Sequence, residues 1–186
     1  MSDRLLWVDL ETTGLVPEEG RILEVGMIVT DPHLAIMRSY SSMVYPAVDF
    51  EENLPPVVWE MHTNSGLIHD MRYAEKLPLL SEVEDWIISK ICNPYFGADN
   101  NKIMLAGSSV DFDKKWLAEH MPDLWARLHY RVADVSSMRE FIRRWVPDHD
   151  QLVVETFGDR PSKHRAMDDL HDSIDLARLY QKWWNA

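Results

Sequence analysis

A single cysteine, Cys92, stands in 186 residues, so an internal disulfide is excluded and a reducing compartment fits. No apolar run approaches the ~20 residues of a membrane-spanning helix, which argues against a membrane protein. The opening residues lack the charged start, apolar stretch and small-residue cleavage site of a secretory signal. These absences predict a cytoplasmic protein. Basic residues are also scarce, 19 Lys and Arg against 31 Asp and Glu, for a formal net charge of −12. Proteins that grip long nucleic acids usually present a basic face, and repulsion from phosphates grows with negative charge. The balance argues against a long duplex or long single strand as main partner. It leaves room for a short anionic ligand held by local groups and bound cations. No repeat, low-complexity segment or linker-like stretch divides the chain, so one domain is expected over residues 1–186. What is present is apolar: 46% hydrophobic residues and eight tryptophans, enough for a globular core.

Hydrophobic patterning predicts strands over 5–10, 21–30 and 35–45 forming a meander, with a turn at Thr13-Gly14. Short helices are expected over 55–71, interrupted at Ser65-Gly66, and an amphipathic helix over 79–92. Strands over 103–106 and 130–135 alternate with helices over 112–120 and 136–145, and the longest helical signal covers 165–184. Strands first, then alternating strands and helices, indicate an α/β fold with a mixed central sheet flanked by helices.

The first strand, LLWVDLET, ends in two carboxylates. Residues two apart on a strand share a face, so Asp9 and Glu11 lie on one side, about 6–7 Å apart, opposite Leu6, Val8 and Leu10. Two carboxylates that close should repel or take up protons unless a cation sits between them, and hard divalent cations take such oxygen ligands. Solvation at a fraying strand end would serve as well. In AGSSVDFDKKWL, Asp113 aligns with Trp116, Leu117 and His120 on the inward face of a helix, while Asp111 falls in the preceding connection. A carboxylate favoured at a helix N-terminus would look the same. In SKHRAMDDLHDSIDLARLY, Ala166, Leu170, Ile174 and Ala177 form a buried stripe with Asp169 at its edge. Asp168 aligns instead with Arg165, Asp172 and Asp175 on a solvated face. His164 precedes or opens this helix, as a surface residue or cap would. Together Asp9, Glu11, Asp113 and Asp169 supply up to four negative charges, matching two divalent cations. Two such ions clamp the attacking and leaving oxygens of an in-line phosphoryl displacement. A histidine beside them could take a proton from the attacking water.

The order DLETTGL, then Asp113, then His164 and Asp169 five residues apart, resembles the DEDDh 3′→5′ exonucleases of the ribonuclease H-like fold. Nearly the whole chain is most similar to the oligoribonuclease family, through MHTNSGL, AGSSVDFDKKWL, the MP…LHYRVADVSS run, RRWVP and HRAMDDLHDSI, in that order. The resemblance implies a homodimeric exonuclease that removes nucleotides from the 3′ ends of very short RNAs, dinucleotides above all, using Mg²⁺ or Mn²⁺. Asp9, Glu11, Asp113 and Asp169 would be the metal carboxylates and His164 the general base. It further implies that Leu15 wedges against the bases and His62 lines the pocket. Ser109, Arg131 and Ser136 would hold the terminal 5′ phosphate, with Tyr130 reaching it from the partner subunit. The chain departs from the family pattern at two places. Val57 stands where a base-stacking tryptophan is often found, with Trp59 two residues on, and segment 148–160 does not follow the family's linker. A proofreading or trimming exonuclease for longer DNA or RNA, and a non-catalytic module retaining the fold, are the competing expectations.

Overall fold

The computed structural model describes residues 3–46, 50–98, 102–158 and 162–185. Strands β1 (Leu5–Thr12), β2 (Ile22–Thr30) and β3 (Ile36–Met43) form the expected antiparallel meander. Strands β4 (Ile103–Gly107) and β5 (Leu128–Asp134) extend it in parallel, giving the order β3-β2-β1-β4-β5. β1 is therefore central, and its side chains are buried on both faces.

One sheet face packs Leu6, Val8 and Leu10 under α3 (Leu80–Ile87), α4 (Asn93–Phe96), α5 (Asp111–His120) and α6 (Pro122–Trp125). The expected helix over 79–92 is interrupted: α3 passes through a π-helical turn at Ile88–Cys92 into α4. The other face packs Trp7 and Ile28 under α7 (Val135–Trp145), α8 (Pro147–Phe157) and α9 (Ala166–Trp184). α8 falls in the segment whose pattern carried no assignment; Val153 anchors it in this second core, and residues 159–160 lie outside the described part. Helices α1 (Pro56–Asn64) and α2 (Leu67–Tyr73) close the end of the meander. Gly66 takes a φ of 81° between them, a left-handed turn that a side chain would oppose.

Two local features bring distant residues to the end of β1. Gly26 faces Asp9 across the β1–β2 ladder, and a Cβ there would lie 2.8 Å from the Ala166 Cβ. Its missing side chain lets the start of α9 sit directly on the sheet. The β1–β4 ladder covers only Leu6 and Trp7, so the next N–H groups on that side of β1 need other acceptors. α5 supplies one.

Candidate active site

Asp113, in the first turn of α5, accepts a hydrogen bond from the Leu10 N–H at 2.9 Å and is only 4% exposed. The inward orientation expected from its helical alignment is realised. Asp111 is the first residue of α5 rather than part of the connection, and its exposed carboxylate pairs with Lys115 one turn on, at 2.7 Å. Asp169, four residues into α9, accepts from Ser162 Oγ at 2.6 Å and from the Lys163 N–H at 3.1 Å. Asp168 points outward to Lys163, at 3.4 Å.

His164 has a φ of 53°, in the left-handed region that histidine tolerates better than most residues at a cost of about 1 kcal/mol. Its N–H donates to Ser162 Oγ at 3.1 Å. This loop conformation turns the imidazole toward the carboxylates: ligand atoms of Glu11, His164 and Asp169 all lie within 4.8 Å of one another. The structure thus gathers the carboxyl groups of Asp9, Glu11, Asp113 and Asp169, with His164, at one end of β1.

Their mutual repulsion and burial make them hold their protons unless a cation compensates them. Burial, then the charges of Asp169 and Glu24, push the Asp9 pKa up to about 7. Burial, then Asp9, Asp169, Glu24 and Asp113, push Glu11 up to about 9. Asp113 is raised well above the ordinary carboxylate range by burial and by Asp9, against the opposing Leu10 hydrogen bond. Carboxyls that ionise this reluctantly, with oxygens converging from three elements, suit hard divalent cations, which would supply the charge the protein does not.

His62 was expected on the pocket wall. It is instead fully buried behind Glu11, with Nε2 donating to the Thr12 carbonyl at 2.8 Å. Its Nδ1 lies 3.7 Å from Glu11 Oε2. Desolvation lowers the His62 pKa and burial raises that of Glu11, so burial disfavours the charged form of both groups. His62 supports Glu11 from beneath. The cleft beside His164 is lined by Leu15, Val57, Val58, Met61 and Phe112, together with Asp9, Glu11 and Asp169. Leu15 is 81% exposed at its edge. Trp59, two positions and some 200° around α1 from Val57, lies outside this cleft, its ring under the Arg72 guanidinium at 5.5 Å.

Ser109 and Ser136 are brought together: the Ser109 N–H donates to Ser136 Oγ at 2.9 Å, and the hydroxyls are 3.2 Å apart. Asp134 organises them, accepting from Ser136 Oγ at 2.6 Å and from the N–H groups of Ser137 and Val110 at 2.8 and 3.0 Å. Burial opposes its ionisation, but these bonds prevail and hold its pKa below the usual value. Arg131 and Tyr130 sit on the edge strand β5, with the Arg131 guanidinium 5.2 Å over the Tyr130 ring and Tyr130 71% exposed.

The sequence pattern missed Asp134, Ser162, Glu24 and Arg165. Arg165 was expected on the solvated face of the last helix; it is the residue before α9, half-buried, and its guanidinium bonds Glu24 at 3.2 and 3.3 Å and Asp70 at 2.7 Å. Glu24, 3% exposed, also accepts the Ala166 N–H at 3.1 Å. A buried glutamate opposite Glu11 in the ladder demands a cation, and this is the signal that could have located Arg165.

Residues 6–177 match the RNase_T exonuclease family. The chain is 34% identical to the oligoribonuclease of Streptomyces griseus, over 98% of this chain and 87% of that protein. It is 35% identical to the oligoribonuclease of Photobacterium profundum, over 96% of this chain and 93% of that protein. Among solved structures it resembles zinc-bound E. coli exonuclease I in complex with single-stranded DNA, at a TM-score of 0.71 and 18% identity over 98% of this chain. That likeness shows the fold, of which the chain spans 41% of the larger protein. The ribonuclease H-like sheet, the acidic cluster and these relatives agree: the chain belongs to the oligoribonuclease family of exonucleases.

Proposed function

We propose that the protein hydrolyses very short RNAs from the 3′ end, dinucleotides above all, releasing 5′-mononucleotides. The convergence of Glu11, His164 and Asp169 at the end of β1, beside Asp9 and Asp113, carries this reading. Asp9, Glu11, Asp113 and Asp169 would hold two divalent ions, Mg²⁺ or Mn²⁺, which supply Lewis acidity at the scissile phosphate when bound. His164 takes a proton from the attacking water as its oxygen bonds to phosphorus. The bond from phosphorus to the 3′ oxygen of the upstream nucleoside breaks, and that oxygen leaves to gain a proton. Leu15 stands at the mouth of the cleft where it can wedge between bases. The Ser109 hydroxyl, held beside Ser136 whose own proton goes to Asp134, offers a donor for a terminal 5′ phosphate, and the forked donors of Arg131 suit the same ion.

The acidity of the chain favours a short substrate, whose ends can be gripped individually without a basic groove. Exposed Tyr130 on edge strand β5, with exposed Trp145 and Trp184 on α7 and α9, supports a homodimer. A scattering mass equal to the 21.8 kDa monomer at micromolar concentration would contradict that assembly. The central test is a length series from dinucleotide to twenty-mer RNA, with and without EDTA. The dinucleotide is expected to be cleaved fastest and EDTA to stop release. Preference for the longest RNA or DNA would favour a trimming or proofreading enzyme, and no metal-dependent release would favour a non-catalytic module.

A further inference from the structure

The parallel ladder between β4 and β5 is broken at one place. Ile103 pairs with Leu128 and Leu105 with Val132, so His129, Tyr130 and Arg131 of β5 stand opposite the single Met104. Such a bulge re-aims the side chains it carries, and its backbone groups need partners outside the ladder. Two buried side chains supply them. Lys114, 8% exposed in the first turn of α5, donates from Nζ to the Tyr130 carbonyl and lies 5.6 Å over the Trp125 ring of α6. His129, itself buried, accepts the Arg131 N–H on Nδ1 at 3.1 Å. Consecutive helix residues point about 100° apart, so one turn of α5 holds β1 through Asp113 and the β5 bulge through Lys114.

We propose that Lys114 and His129 are positioning residues: by holding this bulge they set the span between the carboxylates and Arg131. The inference rests on the 5′-phosphate role proposed above for Arg131. In a strand, a shift of one residue sends a side chain to the opposite face. The bulge, and not the sheet, therefore decides where the exposed Arg131 points. An ammonium is costly to bury, and the bond from Lys114 to the bulge offsets that cost. The same turn of α5 anchors a metal carboxylate at one end and the phosphate grip at the other. With that span fixed, a dinucleotide gains from a phosphate at its 5′ end, whereas a longer chain carries its 5′ phosphate farther out.

The test measures kcat/KM with Mn²⁺ on the RNA dinucleotides pUpU and UpU, which differ only in the 5′ phosphate. Arg131→Gln gives the size of the phosphate effect. Lys114→Met keeps the stem and removes the ammonium; His129→Phe keeps a ring and removes the acceptor. Each is expected to lower the pUpU-to-UpU ratio about tenfold, the scale of one charge-assisted hydrogen bond, while the value on UpU stays within about twofold. Lys114→Arg, which restores a donor, should recover most of the ratio. If Lys114→Met does not fold, His129→Phe decides. A fall on both substrates that leaves the ratio unchanged would assign the pair to stability alone and overturn the proposal. Wild-type ratios in Lys114→Met and His129→Phe, with the ratio lost in Arg131→Gln, would overturn it too, leaving the exonuclease reading intact. A wild-type enzyme indifferent to the 5′ phosphate would overturn the Arg131 grip and this inference together.

Discussion

Asp113 and Asp169 both reach the end of β1 from the first turn of a helix, yet they are held in different ways. Asp113 is buried and bonded to the sheet itself through the Leu10 N–H. Its position is tied to that of β1. Asp169 is half-exposed and bonded to the loop just upstream of its own helix, through Ser162 and Lys163. That loop also carries His164 in a left-handed conformation, and Arg165 clamps its end to Glu24 of β2. One carboxylate is thus bonded to the sheet, while the other is bonded to the loop that carries His164. The difference separates a carboxylate fixed to the sheet from a pair of groups, Asp169 and His164, whose positions are set jointly.

Substituting the sheet-bonded carboxylate should have the largest effect. Asp113→Asn keeps an oxygen to accept the Leu10 N–H and removes only the charge. Mononucleotide release is expected to drop below detection, while the melting temperature in EDTA holds or rises, because a carboxyl disfavoured by burial is gone. Turnover within tenfold of wild type would erase the distinction between sheet and loop. On the loop side, His164→Ala should slow dinucleotide hydrolysis by about a hundredfold or more, the usual worth of a general base. Binding of Mn²⁺ by the four carboxylates, followed by calorimetry, should survive that substitution. A variant cleaving at the wild-type rate would remove His164 from the chemistry.

The same contrast explains what could be read from the amino acids alone. Strand alternation placed Asp9 and Glu11, and helical alignment placed Asp113 and Asp169, because these residues lie in regular elements whose period fixes the direction of a side chain. Arg165 was misplaced because it lies one residue before its helix, where the period does not apply; its true direction follows from Glu24, 141 residues away. Ser162 and the left-handed His164 belong to a loop, and loop geometry has no period to read. The burial of His62 was not legible, since its depth depends on how α1 meets the end of β1. Helix α8 escaped because its surface is largely polar and only Val153 is deeply buried.

A pH series sharpens the comparison through the buried carboxyls. In the unfolded chain Asp and Glu release protons near pH ~4. In the folded, metal-free chain Asp9 holds its proton to about 7 and Glu11 to about 9. Between these limits the folded state binds more protons at these two groups than the unfolded one, so their contribution to stability falls as pH rises. The contribution is complete below pH ~4 and lost as pH passes through the folded values. Melting temperature in EDTA should therefore decline from about pH 5 to about pH 9, and the increment from added Mn²⁺ should grow over the same range. A melting temperature that rose with pH in EDTA would mean the carboxyls are not desolvated as the structure has them.

The smallest expected effect falls on Ser162, which ties the two members of the loop to each other. Its Oγ donates to Asp169 Oδ2 at 2.6 Å, accepts the His164 N–H at 3.1 Å and lies 3.3 Å from His164 Nδ1. Asp169 keeps a second bond from the Lys163 N–H, and the loop keeps the Arg165 clamp, so Ser162→Ala removes one charge-assisted bond from a partly exposed site. The loss is about 1 kcal/mol of local order, or roughly fivefold in rate, with little change in melting temperature. If the loop sets Asp169 and His164 jointly, Ser162→Ala combined with His164→Ala should cost no more than His164→Ala alone. Additive losses in that double-mutant cycle would show that Ser162 acts on the carboxylate independently of the base.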